Sequence, residues 1–263
     1  MKVIEKIIDV DSIITKSKLP DADYVINPYI GCPHKCIYCY AEFMKRFTNH
    51  FEPWGDFLDI KKIKEDIPLS KYTGTSILLG SVTDAYNPFE AKYKCTQKIL
   101  NQLVLSDAKI DILTKSSLVI RDIDLIRKIK NIRIGISMNT LNDDFRKIIE
   151  PFASPIDKRI ITLKKLKEAN ISTYLFMSPI FPGITNFEEI IQATREYVDI
   201  FCFENLNLRA GYKYEELIDL YDNIYLKKNN DYWNELIEKI ENFCKKENLK
   251  YKIYFYHSKA RKK

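Results

Sequence analysis

The chain has 263 residues, of which 46% are hydrophobic and 30% are charged, and its formal net charge is +6. This composition excludes a disordered or fibrous protein, and the length allows one substantial hydrophobic core. No apolar stretch reaches 18 residues, and acidic residues interrupt the N-terminal apolar run, so we expect a cytoplasmic protein with no membrane partner.

Three cysteines lie close together near the start of the chain. Cys32, Cys36 and Cys39 have a Cys-x3-Cys-x2-Cys spacing, which in a reducing compartment favours a metal or redox site over disulfides. Structural zinc needs four ligands, and the fourth is missing near this loop unless His34 folds back between its neighbours. A 4Fe-4S cluster held by three thiolates leaves one iron open to a substrate or cofactor. The spacing therefore favours an iron-sulfur cluster over zinc.

Beyond the cysteine loop, short apolar or β-branched runs alternate with segments of helical period. Strands separated by crossover helices specify a parallel sheet, and about six such units predict an α/β fold, a partial (β/α)6 barrel. We expect one domain over residues 1–263, with a core at about 22–210 and a C-terminal extension of helix and strand at about 211–263. The predicted strands span 76–80, 110–113, 132–138, 172–177, 200–203 and 251–256. The predicted helices span 94–105, 122–130, 143–149, 156–169, a segment that starts near 186, and 214–249.

Polar side chains follow the first two of these strands, at the ends where parallel α/β folds bind ligands. Ser81, Thr83 and Asp84 can accept hydrogen bonds from an ammonium group, although a plain turn uses the same residue types. Lys115 ends the next strand and can pair with a carboxylate, unless it is a surface lysine.

Further candidates come later in the chain. Ser137 and Asn139 alternate with apolar residues and so share a face suited to ribose hydroxyls, with strand-end capping as the alternative. Arg159 follows Glu150, and a salt bridge between them is as plausible as a ligand contact. Residues that could face the substrate, or equally be loop residues, are Tyr86, Asn205, Asn207, Arg209 and Tyr212.

The cysteine loop, with an aromatic residue just before its third cysteine, resembles the signature of the radical S-adenosylmethionine (SAM) superfamily. In that family the open iron binds the amino and carboxylate groups of SAM. One electron then splits the sulfonium bond, giving methionine and a 5'-deoxyadenosyl radical that abstracts hydrogen. The resemblance implies a 4Fe-4S cluster on Cys32, Cys36 and Cys39, SAM as cofactor, and an electron donor such as flavodoxin or ferredoxin.

A narrower resemblance, over residues 27–183, is to the spore photoproduct lyase-like radical SAM proteins. It is carried by NPYIGCPHKCIYCYA, GSVTDAYNPFE, LTKSSLVIRDIDLI, SMNTLNDDFRKIIEP and PIFPGITN. It implies that Thr83, Asp84 and Lys115 contact SAM, and that Tyr38 and Tyr40 are catalytic residues that relay a radical. The complete predicted SAM site is Tyr38, Ser81, Thr83, Asp84, Lys115, Ser137, Asn139 and Arg159.

One position departs from the pattern of the lyase, which has a hydrogen-donating cysteine where this chain has Ser81. A serine O–H bond is too strong to quench a carbon radical readily, which argues against photoproduct repair by the same route. We interpret Cys95, Cys202 and Cys244 as ordinary semi-buried thiols, with Cys202 the best candidate for an exception.

The sequence thus predicts an enzyme that abstracts hydrogen from a substrate that is DNA, a peptide or a small molecule. The alternative is a zinc-stabilised nucleic-acid-binding protein without catalysis, in which the same cysteines are structural. Its phosphate contacts would come from the basic tail formed by Lys259, Arg261, Lys262 and Lys263.

Overall fold

The computed structural model describes residues 2–206 and 230–255, which form two sheets and the helices that pack on them. The strands are β1 (Ile4–Val10), β2 (Ile14–Lys16), β3 (Tyr24–Ile26), β4 (Tyr29–Ile30), β5 (Phe57–Ile63), β6 (Ser76–Leu79), β7 (Lys109–Thr114), β8 (Ile132–Ser137), β9 (Ser172–Ile180), β10 (Ile200–Asn205) and β11 (Tyr251–Ile253). The α-helices are α1 (Glu90–Tyr93), α2 (Cys95–Leu103), α3 (Ile123–Ile126), α4 (Asp143–Ile149), α5 (Ile156–Glu168), α6 (Phe187–Thr194) and α7 (Asn230–Lys246).

The main sheet has eight strands in the order β11-β10-β9-β8-β7-β6-β3-β2. Every neighbouring pair from β3 to β11 is parallel, and only the pair of β2 with β3 is antiparallel. The two end strands do not pair with each other, so the sheet is open. This confirms the predicted α/β fold and its partial barrel.

The strands turn alternate side chains to the helices and to the lumen of the partial barrel. On β7, Ile110 and Ile112 are buried in the core with the helices, whereas Asp111 faces the lumen. Gly135 on β8 leaves room for the ring of Tyr174 on β9, because a Cβ at Gly135 would lie 2.0 Å from the tyrosine Cζ. The lumen is therefore lined by polar and aromatic side chains as well as aliphatic ones.

A second sheet of three strands, in the order β1-β5-β4, is a feature that the sequence analysis did not predict. Strand β5 is its central strand and buries Phe57, Leu58 and Ile60. Strand β4 ends at Ile30, directly before the cysteine loop, so this sheet supports the loop from below. Strand β1 is mostly exposed, which explains why its pattern gave no clear signal of a strand.

Most predicted helices are present, with shifts of one to three residues at their ends. Helix α4 has the predicted bounds, and α6 begins after Asn186, whose side chain accepts from the backbone N–H of Glu189. The prediction for 122–130 was wrong in part, because α3 ends at Ile126 and Asp122 is the last residue of a 3-10 turn over Ser117–Asp122.

Helix α7 and strand β11 confirm a helix and a strand in the C-terminal extension. Predictions for 207–229 and 256–263, including the basic tail, lie outside the described residues. Of the helices in the described ranges, none combines the length and hydropathy that a membrane span requires.

Candidate active site

A cavity of about 450 Å³ lies at the carboxyl ends of the parallel strands. This volume is within the range of small-molecule sites, and the position is the one at which parallel α/β folds bind ligands. The cysteine loop forms one wall, and residues that follow β6, β7 and β8 form the wall opposite.

The cysteine loop is held in shape by tight backbone turns. Gly31 has φ +93°, and a Cβ there would lie 2.3 Å from the carbonyl oxygen of Phe57, so only glycine fits. Lys35 also adopts a positive φ of 54°, and its backbone N–H donates to the carbonyl of Cys32 at 3.2 Å. These turns bring Cys32, Cys36 and Cys39 to one cavity wall as free thiols.

The three thiols supply the donor set of an iron-sulfur cluster. Cys32, Cys36 and Cys39 line one wall of the cavity as free thiols. Within residues 2–206 and 230–255, no three His, Cys, Asp or Glu side chains are placed to coordinate one metal ion. In a 4Fe-4S cluster each thiolate binds a different iron, and three thiolates leave one iron open. The residues on this wall therefore fit a cluster with one open iron.

Asp84 is a structural hub between the cysteine loop and two strand ends. Its Oδ1 accepts from the backbone N–H of Tyr86 and the hydroxyl of Thr114, at 2.8 and 2.7 Å. Its Oδ2 accepts from the backbone N–H of Lys115 at 2.8 Å and lies 3.3 Å from Nδ1 of His34. Burial alone would raise the pKa of Asp84, but His34 and these donors outweigh burial and lower it to about 2.

Those four partners occupy the four acceptor positions of the Asp84 carboxylate. A direct contact with a SAM ammonium group would have to displace one of them. The geometry gives Asp84 a clear role in fixing the loop against the strands, and its contact with SAM stays a prediction.

Glu150 organises the other end of the wall. Its carboxylate accepts from the hydroxyl of Tyr38 and pairs with the guanidinium of Arg159, both partners of the pair being fully buried. The ammonium of Lys115 lies 5.7 Å from the centre of the Tyr38 ring. Burial would lower the pKa of Lys115, but the charge of Glu150 outweighs it, so the pKa is raised and the lysine is a cation.

Arg159 and Asn139 do not line the cavity. The guanidinium of Arg159 is held by protein acceptors, since each of its three nitrogens donates to one: the carbonyls of Ser154 and Ser137, and Glu150. The salt bridge that we weighed as the alternative for Arg159 is thus present. Asn139 is fully buried and its Nδ2 reaches Glu150 at 3.4 Å. Both residues stand behind the wall that Tyr38 and Lys115 present.

The remaining predicted SAM residues lie at the cavity. Ser81, Thr83 and Ser137 all line it, with Thr83 donating to the carbonyl of Gly31 at 2.7 Å. Tyr40 also lines it, and its hydroxyl donates to the carbonyl of Ser81. Eight residues were predicted at the strand ends or beside Cys39, and all but Asn139 line the cavity. The seven lining residues are Tyr38, Tyr40, Ser81, Thr83, Asp84, Lys115 and Ser137.

The lower part of the cavity was not predicted. Asp111 and Arg133 pair across β7 and β8, and the guanidinium of Arg133 lies 5.1 Å from the centre of the Tyr174 ring. The sequence does contain a signal for these two residues, because Asp111 in KIDILT and Arg133 in IRIGIS are charged residues inside otherwise apolar strands. Glu204 was not predicted either; it lies near the carboxyl end of β10, closer to the cysteine loop, and accepts from the hydroxyl of Ser178.

Cys202 also lines this lower part, on β10, whereas Cys95 and Cys244 do not line the cavity. Burial raises the pKa of Cys202 to about 12, so its thiol is neutral.

Of the residues proposed for the substrate side, Asn205 lines the cavity. Tyr86 does not, because it is fully buried and its hydroxyl donates to Asp122 at 3.1 Å. Asn207, Arg209 and Tyr212 lie outside the described residues.

Comparison with known proteins identifies the family. A sequence model described as the radical SAM superfamily matches residues 26–196, a range that includes the cysteine loop and both walls of the cavity. The chain belongs to the radical SAM superfamily. Membership makes it an enzyme of radical SAM chemistry, and implies SAM and an iron-sulfur cluster as its cofactors.

Two relatives by sequence carry the description of an uncharacterized protein. A protein of Methanocaldococcus jannaschii is 37% identical over 238 residues, which cover 90% of this chain and 91% of that protein. A protein of Acidianus two-tailed virus is 34% identical over 171 residues, covering 60% of this radical SAM chain and 56% of the viral one.

Two kinds of solved structure share the fold. Spore photoproduct lyase complexed with a dinucleoside spore photoproduct has a TM-score of 0.71 at 16% identity, covering 95% of this chain and 82% of the lyase. Streptococcus suis SuiB bound to the precursor peptide SuiA has a TM-score of 0.61 at 14% identity, and the match covers 97% of this chain and 50% of the SuiB chain. The likeness confirms the radical SAM type of fold.

Proposed function

We propose that this radical SAM protein cleaves SAM reductively at a 4Fe-4S cluster held by Cys32, Cys36 and Cys39, and uses the resulting 5'-deoxyadenosyl radical to abstract hydrogen. The observation that carries the proposal is the meeting of three free thiols with a lysine and several hydroxyls in one cavity. When bound, the cluster supplies the electron that breaks the sulfonium bond. The protein's own contribution is to bind, orient and enclose the cofactor.

Lys115 would orient the carboxylate of SAM. It is a cation next to the anionic Glu150, and burial on this wall strengthens its attraction for a further anion. The hydroxyls of Ser81 and Thr83 would accept from the SAM ammonium group. Asp84 would hold that turn in place, and Ser137 would meet the ribose.

Tyr38 and Tyr40 are proposed to take part in radical transfer, since they flank Cys39 and line the cavity. Desolvation raises the pKa of the Tyr38 phenol, and the nearby charge of Glu150 raises it further. Tyr38 therefore keeps its proton at neutral pH. Glu150 is the acceptor on which the Tyr38 proton can rest.

The substrate is proposed to enter from the lumen below SAM. Asp111 and Arg133 line that region and favour a substrate with a polar group. DNA, a peptide and a small molecule all stay candidate classes, and the related structures with a dinucleoside and a precursor peptide illustrate the first two for those proteins. An electron donor such as flavodoxin or ferredoxin and a cytoplasmic location are further parts of the proposal.

The test is the release of 5'-deoxyadenosine by anaerobically reconstituted protein with dithionite and SAM. We expect about four irons in the wild type and product formation that Cys36→Ala abolishes, because the cluster loses a ligand. Cys95→Ala is the matched control, as Cys95 is a buried thiol away from the cavity. It should retain iron and activity.

Two outcomes would contradict the proposal. One is a colourless protein that contains one zinc after anoxic purification, which would restore the zinc alternative. The other is 5'-deoxyadenosine release by Cys36→Ala at the rate of the wild type.

A further inference from the structure

Trp54 is a buried tryptophan directly beside the cysteine loop. Its side chain is 1% exposed, and its indole Nε1 has no hydrogen-bond partner in the described part of the chain. Trp54 packs in one cluster with Cys32, Ala41 and Phe57, and Cys39 packs against this cluster. Burial raises the pKa of the Cys39 thiol, and the contact with Trp54 opposes that rise. An otherwise unpaired donor thus faces one of the three predicted cluster ligands.

The position of the indole is fixed by its surroundings. Its ring packs edge-on against Phe57, with centroids 5.7 Å apart, and Phe57 in turn stacks on His50 at 4.0 Å. Gly55 follows with φ +95°, and a Cβ there would lie 2.7 Å from the side chain of Lys35. The turn after Trp54 therefore packs closely on the cysteine loop, and the indole cannot move without disturbing it.

A buried N–H without a good acceptor is costly, and a neutral thiol is a weak acceptor. A thiolate is a strong one, because hydrogen bonds to charged groups are about twice as strong as neutral ones. The arrangement is therefore favourable when Cys39 carries negative charge, as it does when it ligates iron. The hydrogen bond from the indole N–H becomes stronger as more negative charge accumulates on the Cys39 sulfur.

We propose that Trp54 is a positioning residue for the redox centre, which donates its N–H to the Cys39 sulfur and raises the reduction potential of the cluster. The inference rests on the proposed function, since it requires a cluster on Cys39. A hydrogen bond to a ligand sulfur stabilises the reduced, more negative state over the oxidised one. Trp54 thereby makes the first electron easier to accept.

The experiment compares the wild type with Trp54→Phe, which keeps an aromatic ring and removes the N–H. An EPR-monitored redox titration of the reconstituted proteins should give a reduction equilibrium constant about tenfold smaller in the variant, a potential about 59 mV lower for one electron. Proton ENDOR of the reduced cluster should show an exchangeable coupling in the wild type that Trp54→Phe lacks. Iron content should be equal.

Two controls separate the hydrogen bond from packing. Trp233→Phe makes the same substitution at the second tryptophan, which packs on Phe255 away from the cysteine loop. Met44→Leu alters the packing of the cluster that contains Trp54 but keeps the indole N–H and its contact with Phe57. Both should leave the potential and the exchangeable proton signal as in the wild type.

An unchanged potential and unchanged ENDOR spectrum in Trp54→Phe, at full iron content, would overturn this inference while leaving the proposed function intact. An equal shift in Met44→Leu would also overturn it, because packing would then explain the effect. If the wild type itself assembles no cluster, the proposed function fails first.

Discussion

Single residues carry the electrostatics of the site. Glu150 is the clearest case, because it joins Tyr38, Arg159 and the neighbourhood of Lys115 in one buried group. Burial would raise the pKa of Glu150, but Arg159 and Lys115 outweigh burial and lower it. Glu150 is therefore an anion behind the cavity wall. It neutralises Arg159, and it keeps Lys115 charged so that the lysine can meet a ligand carboxylate.

The role of Lys115 can be tested by Lys115→Met, which keeps the length of the side chain and removes its charge. SAM affinity should fall roughly 10- to 100-fold, the value of one charge-assisted hydrogen bond, as measured by equilibrium binding to the reconstituted protein. Iron content should not change, since Lys115 is not a cluster ligand. Lys167→Met, at an exposed lysine paired with Asp199, is the control. Wild-type affinity in Lys115→Met would remove Lys115 from the site.

At the scale of elements, the loop between α4 and α5 closes the back of the site. Asn142 caps α4, accepting from the backbone N–H groups of Asp144 and Phe145. Asp143 binds the guanidinium of Arg146 at 3.0 Å and accepts from the backbone N–H of Ile156 at the start of α5. One carboxylate thus ties two helices together and frames the segment that contains Glu150.

This tie predicts a pH dependence of stability. The hydrogen bond from Arg146 is the main cause that lowers the pKa of Asp143 to about 2, below its unfolded value of about 3.9. A lowered folded pKa stabilises the protein above the unfolded pKa, and that stabilisation is lost as the pH falls from about 4 through about 2. Urea unfolding at pH 5, 4 and 3 should show a smaller loss in Asp143→Asn than in the wild type. Asp144→Asn, at the exposed neighbour, should follow the wild type, and identical curves for Asp143→Asn and the wild type would refute the prediction.

Elements with strong local signals were predicted and those with weak signals were not. Helix α4 begins at an Asn cap followed by two acidic residues, and the parallel strands are continuous apolar runs, so local pattern was enough. Strand β1 exposes most of its residues, and its pairing with β5 joins segments about fifty residues apart. Such a pairing depends on a distant partner, which no local pattern contains.

Over the whole molecule, the open sheet creates a lumen with the cysteine loop at one end. The cysteine loop stands at the carboxyl ends of the strands, and the ion pair of Asp111 with Arg133 stands deeper. A ligand bound at the cysteine loop would touch the ends of β6, β7 and β8 together. It would therefore stabilise the fold as a unit.

SAM should for this reason protect the reconstituted protein against unfolding. At a SAM concentration of about 100 times its Kd, the expected gain in the free energy of unfolding is about 2.7 kcal/mol, measured anaerobically by thermal or denaturant unfolding. The iron-free protein should gain far less free energy of unfolding at the same SAM concentration, because the open iron is the proposed binding point for SAM. Equal protection with and without iron would contradict an anchor at the cluster.

The sequence by itself determined the fold class, the radical SAM family and the three thiols. These are recorded in short spacings and in apolar runs, so neighbouring residues carry the whole signal. Only the tertiary structure decided that Tyr38 meets Glu150, 112 residues away, that Asp84 is already occupied by protein donors, and that Cys39 packs against the cluster that contains Trp54. Those contacts join side chains from separate elements, and they exist because the packing of two sheets and a loop brings these side chains together.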